Sequence, residues 1–202
     1  MKILWLGGWA ISPAFVLARV KERFPDVEHQ VLPPTRNARA EQGFDWVVGH
    51  SLGSFLALRW PEGFPAKRGV ALLAPFLSFC CENKLGGKVS RTQLQVTARC
   101  LRRDALAAVN DFYERAELGL RAESLPYSIE DLAWGLDVLL TETVDTKAPE
   151  RHHLRVVLGD SDPLLDTNRL TESFPHATIL PEVGHRFEDL LAGFHFHESS
   201  HA

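Results

Sequence analysis

The chain has 202 residues, 45% of them apolar and 24% charged, with a formal net charge of −4. That length accommodates one domain with a substantial core, and the composition is that of an ordinary globular protein. The charge offers nucleic acid no global attraction, no Gly-Lys-Ser/Thr phosphate-binding signature is present, and three cysteines, with Cys80 beside Cys81, do not make a disulfide framework.

Residues 3–6 (Ile-Leu-Trp-Leu) form the first apolar run. It is too short for a leader and passes straight into Gly7-Gly8-Trp9, so it reads as a core strand. No other stretch is long and uncharged enough to span a bilayer, and a cytoplasmic protein with no membrane partner is expected. A helix is expected over 12–24, with Pro13 at its start and Pro25 past its end. Residues 27–32 make a strand closed by Pro33-Pro34, and 46–49 another that is buried throughout. A further strand over 69–74 stops at Pro75, and strands at 154–159 and 178–180 flank a helix at 165–173. A final amphipathic helix is expected over 187–196. Short apolar runs alternating with helices imply a parallel sheet covered on both faces.

Residues 76–149 break this alternation, with helical pattern and no convincing strand. Leu106, Val109, Tyr113 and Ala116 recur at helical spacing, and Ser128-Ile129-Glu130-Asp131 is a capping signature before the stripe Leu132, Leu136, Leu139 and Leu140. The segment reads as a helical cap inserted into a core formed by 1–75 and 150–202.

The pentapeptide Gly49-His50-Ser51-Leu52-Gly53 follows the strand and precedes a compact helix stopped by Pro61. It reads as a nucleophile elbow, against the alternative of a strand–turn–helix corner with an incidental serine. The serine takes a strained turn that projects its hydroxyl above the sheet, and small neighbours let strand and helix approach. A serine hydroxyl needs a base, and the base needs a group that holds its tautomer. Asp162 lies on the loop beyond the strand ending at Gly159, far enough out to turn over the strand end. Asp160 and Asp166 rank below it, as loop or cap residues. His185 follows Gly184 between the last strand and the last helix, where it can reach Ser51.

Eight other histidines compete with His185. His50 precedes the serine and is expected to point away from its hydroxyl, lining or packing the pocket. His29, His152, His153 and His176 lie in polar surroundings of exposed loops or element ends, and His195, His197 and His201 crowd the C-terminal end. No zinc-ligand spacing occurs, so neither metal nor cofactor is expected. The backbone N–H of Leu52 and of Trp9 are the expected oxyanion donors, the latter from the glycine loop after the first strand.

Together these residues resemble the α/β-hydrolase superfamily over nearly the whole chain. Three local features are similar to the carboxylesterase group that cleaves pimeloyl-acyl carrier protein methyl ester in biotin synthesis. They are Gly8-Trp9, the run Gly135-Leu136-Asp137-Val138-Leu139-Leu140 with Val144-Asp145, and Pro175-His176-Ala177. The resemblance implies a trimmed, mostly parallel sheet of about six strands, without the usual N-terminal hairpin and with an inserted helical cap. Gly7 stands where many relatives carry histidine. The resemblance also implies a small-molecule or carrier-linked acyl ester as substrate. An acidic acyl carrier protein would need a basic docking surface, and Lys84, Lys88, Arg91, Arg99, Arg102 and Arg103 supply candidates, the last three above all. The same parts also run thioester or carbon–carbon hydrolysis or acyl transfer, and proteins of this fold also act as ligand receptors; the residues alone leave these open.

Overall fold

A computed structural model describes residues 1–41, 43–148 and 154–196. His152, His153, His197 and His201 lie outside the described residues, as does the expected cap boundary at 149–150. The main sheet is built from β1 (Lys2–Leu6), β2 (Glu28–Leu32), β3 (Trp46–His50), β4 (Gly69–Leu73), β7 (Leu154–Gly159) and β8 (Thr178–Leu180), in the order β2-β1-β3-β4-β7-β8, with all pairs parallel. The central strands read as continuous apolar runs because both their faces are covered; β3 is buried at every position.

Helix α1 (Pro13–Arg23) joins β1 to β2 in one direction, and α2 (Leu52–Arg59) leads from β3 to β4 in the other. Right-handed crossovers of opposite direction put these helices on opposite faces of the sheet. The chain therefore reverses between β1 and β3, and the loops leaving those two strands lie side by side. Register fixes their level: Leu6 pairs with Gly49, His50 with Leu73, Leu73 with Val157 and Gly159 with Leu180. Helix α6 (Thr167–Ser173), capped by the Asp166 side chain, precedes β8, and α7 (Phe187–Ala192) packs beside α1. Helix α7 is shorter than the expected 187–196, because the chain turns at Gly193 and drives Phe194 into a buried cluster with Phe24 and Phe196.

Between β4 and β7 the chain forms α3 (Arg91–Arg103), α4 (Ala105–Arg115) and α5 (Ile129–Thr141), which pack on one another. Ser90 and Gln93 close a capping box at α3, and the Ser128 hydroxyl accepts the Asp131 N–H at α5. The expectation of a strand-free insertion is corrected. Short strands β5 (Ser78–Cys80) and β6 (Gly86–Val89) pair at its start, too brief to show a period. No described helix is long and apolar enough to cross a membrane.

Two glycines let α2 sit on the sheet. A Cβ on Gly53 would lie 2.2 Å from the Leu6 carbonyl oxygen, and one on Gly49 2.5 Å from the Ser54 Cα, both against backbone that cannot yield. Gly53→Ala should therefore cost about 3 kcal/mol, which thermal unfolding would read as a Tm lower by roughly 6–12 °C.

Candidate active site

Ser51 ends the buried strand β3 with φ 52° and ψ −115°, the only break between strand and helix α2. Its N–H is held by the Leu73 carbonyl at 2.9 Å and its carbonyl by the Phe55 N–H at 3.0 Å, so the strain is over-determined by bonds on either side. The side chain is left to point upward, with 6% of the residue exposed.

Asp162 leaves the β7 end on a loop that is tied down at several points. Its Oδ1 accepts the N–H of Leu164 at 2.8 Å and of Leu165 at 3.1 Å, and its backbone carbonyl accepts from Lys88 Nζ at 2.7 Å. Asp160 braces the neighbouring loop by accepting the Glu182 N–H at 2.8 Å, while Asp166 caps α6. The Ser161 N–H donates to Val183 and the Asp160 N–H to Leu180, so the loops after β7 and β8 are laced together.

That lacing sets His185 between the other two side chains. His185 Nδ1 donates to Asp162 Oδ2 at 2.6 Å, and Ser51 Oγ lies 2.8 Å from His185 Nε2. With the carboxylate accepting from Nδ1, Nε2 carries a lone pair toward the serine, which donates to it. His185 and Asp162 are each 2% exposed, and the carboxylate's burial is met by three N–H donors.

His50, expected to line or pack the pocket, also braces the loop that carries His185. It is buried, and its Nε2–H donates to the His185 carbonyl at 3.1 Å, pinning the backbone of that loop. Its Nδ1 has no hydrogen-bond partner among the described residues and faces Gly8, where an added Cβ would lie 3.0 Å away. Burial, and then the neighbouring His185 ring, push its pKa down to about 3. His29 stands at an element end, as the second residue of β2, but is half-buried there, accepting from the Trp5 indole at 3.0 Å and donating to the Phe24 carbonyl. His176 and His195 are exposed, away from this cluster.

The loop after β1 lies beside Ser51 because β1 pairs with β3. None of the backbone hydrogen bonds among the described residues uses the N–H of Trp9 or of Leu52, the first residue of α2. The Trp9 ring is buried against Phe112, its centroid 4.8 Å away, and its indole N–H donates to the Leu132 carbonyl. Arg99, Arg102 and Arg103 lie exposed on the last turns of α3. Lys88 and Arg91, also exposed, are engaged by groups of this chain, Lys88 at the Asp162 carbonyl and Arg91 with the Asn83 side chain and the Leu140 carbonyl.

Several solved structures share this architecture. A hydrolase from Oleispira antarctica superposes with a TM-score of 0.65 at 12% identity, over 96% of this chain and 87% of that one. A thermophilic esterase from Thermogutta terrifontis gives 0.62 at 14% identity, over 92% and 82%. The chain has the α/β-hydrolase fold. MenH from S. aureus is similar to it at 0.63 and 13% identity, over 96% of this chain and 92% of that one. No protein-family model and no curated protein matches the sequence. In this α/β-hydrolase fold the array of Ser51, His185 and Asp162 stands at the carboxyl ends of the strands, where the sheet's connectivity reverses.

The depressed His50 pKa has a thermodynamic sign. Between pH 6.5 and about 3 the unfolded chain binds a proton at His50 that the folded chain does not. Stability from this group is full above 6.5 and falls as the pH drops through that window. His50→Gln keeps an N–H donor but has no titrating ring. Urea unfolding from pH 7 to 4 should give the parent chain the steeper loss, by up to about 1.4 kcal/mol per pH unit; parallel slopes would contradict it.

Proposed function

We propose that the protein is a serine hydrolase that cleaves a carboxylic ester through an acyl-enzyme intermediate. The observation that carries this reading is the continuous line of hydrogen bonds Asp162–His185–Ser51, at 2.6 and 2.8 Å, at the end of a strained strand–helix turn. Ser51 Oγ attacks the ester carbonyl as His185 Nε2 takes its proton. Asp162 keeps the other ring nitrogen protonated and stabilises the imidazolium that forms. The carbonyl oxygen becomes an oxyanion, received by the N–H of Leu52 and of Trp9, with the first turn of α2 beneath it. His185 returns the proton to the leaving alcohol, and water releases the acid by the same steps in reverse order.

The acyl substrate of this reading is an ester carried on an acidic acyl carrier protein, pimeloyl methyl ester in biotin synthesis being the case the local sequence resembles. Supporting it are the exposed guanidinium groups of Arg99, Arg102 and Arg103, clustered on the end of one helix, which would attract an acidic partner.

Ser51→Ala should lower turnover of a short p-nitrophenyl ester by about 10⁴-fold while thermal unfolding is unchanged. A serine-directed phosphonate should label Ser51 in the parent chain. Labelling elsewhere, or full activity in the variant, would remove the reading; turnover of thioesters or carbon–carbon substrates in preference to esters would redirect it within the fold. For the carrier, replacing Arg99, Arg102 and Arg103 by Glu should slow hydrolysis of a carrier-linked ester at least about tenfold and spare the p-nitrophenyl ester. Equal activity on both substrates would discard the docking surface.

A further inference from the structure

The loop that follows β1 is a tight turn in which the Ile11 N–H donates to the Gly8 carbonyl at 3.2 Å. Ala10 occupies its third position with φ +60°. Glycine is the usual residue at such a place, because a Cβ disfavours the left-handed region. A turn of this kind can relax by flipping the Trp9–Ala10 peptide, which would carry Ala10 back to negative φ.

What opposes that relaxation comes from the insertion. The chain contains two tyrosines, and both phenols meet on Ala10. The Ala10 N–H, a member of the peptide that would flip, donates to the Tyr127 hydroxyl oxygen at 2.6 Å. The Ala10 carbonyl accepts from the Tyr113 hydroxyl at 2.5 Å. Tyr113 projects from α4 and Tyr127 lies just before α5, so separate parts of the insertion grip both polar groups of one residue. A third bond, from the Trp9 indole to the Leu132 carbonyl at 2.9 Å, fixes the adjacent side chain. Helix α5 fits against that indole only because residue 135 is glycine; a Cβ there would lie 2.7 Å from Trp9 Cδ1.

We propose that Tyr113 and Tyr127 are positioning residues that anchor Ala10, lock the Gly8–Ile11 turn in its strained form and so hold the preceding Gly8–Trp9 peptide, with its oxyanion-donating N–H, in place. This rests on the serine-hydrolase reading above and adds to it that the insertion forms part of the catalytic apparatus. Neither phenol touches substrate; each acts through the backbone. Burial raises both pKa values, that of Tyr113 to about 12, so both remain hydroxyls throughout the neutral range.

The test is Tyr113→Phe, Tyr127→Phe and the double variant, each of which removes only an oxygen. Steady-state kinetics on a p-nitrophenyl ester, the rate of phosphonate labelling at Ser51 and thermal unfolding are measured on all four chains. A donor displaced by about 1 Å costs up to about 100-fold in rate. The expected result is kcat reduced about tenfold to 100-fold in Tyr127→Phe and further in the double variant. KM should stay within about twofold, labelling should slow in parallel, and the folded fraction at the assay temperature should be unchanged. Variants with parental kcat and labelling, or whose loss tracks unfolding alone, would overturn the proposal while the hydrolase reading stands on the active, labelled parent. A parent chain that neither turns over the ester nor takes the label at Ser51 would overturn both.

Discussion

The seat of helix α2 on strand β1 governs everything assembled at this end of the sheet. Gly53 passes so close to the Leu6 and Gly7 carbonyls that no side chain fits between them, and Gly49 meets the first turn of the same helix from the other side. Only that proximity allows β3 to turn within one residue into α2, with Ser51 at φ 52°. The turn is unfavourable locally and is held by hydrogen bonds to Leu73 and Phe55, so the surrounding strands and helix supply the energy that keeps the hydroxyl raised. The same approach brings the loop after β1 beside the serine, because the two strands are neighbours at the reversal of the sheet.

Around that fixed point the histidine loop is held from two directions. Asp160 and Ser161 lace it to the loop after β7, and His50 grips the His185 carbonyl from below. His50 suits this task because it stays uncharged. A protonated ring there would stand 5.3 Å from the His185 ring, both of them buried, and would oppose the imidazolium that the proposed mechanism forms. The closeness of its ring also accounts for Gly8, since a side chain at that position would be forced against it.

Much of this was legible in the chain because it is written in local signals. The apolar run into Gly49-His50-Ser51-Leu52-Gly53, the glycine before His185 and the spacing of Asp162 from Gly159 each constrain a few consecutive residues, and the six parallel strands followed from short apolar runs bounded by proline and glycine. What was not legible depends on contacts between distant segments. Tyr113 read as one member of a core stripe and Tyr127 as nothing at all, because their partner lies 103 and 117 residues away. His50 meets its acceptor across 135 residues. Strands β5 and β6 span three and four residues, below the length at which alternation can be distinguished from chance. His29 looked exposed by its polar neighbours, yet an edge strand packed on Trp5 buries half of it.

The insertion bears on two of the loops at once, by different means. Its first part, β6, lies against the loop that carries Asp162: the Lys88 N–H donates to the Leu164 carbonyl, the Asp166 N–H to Gly86, and Lys88 Nζ to Asp162 itself. Its later part, α4 and the start of α5, holds Trp9 and Ala10 through three hydrogen bonds. The Ser51 backbone, by contrast, is hydrogen-bonded to β4 and α2. The insertion reaches the proposed nucleophile by packing, α5 lying against Leu52 at Gly135, whereas the Asp162 loop and the proposed oxyanion donor are joined to it by hydrogen bonds. A displacement of the insertion would bear on the proposed acid and the proposed donor together, so under the serine-hydrolase reading a substrate that packs against these helices is coupled to the geometry of the reacting atoms through bonds already present.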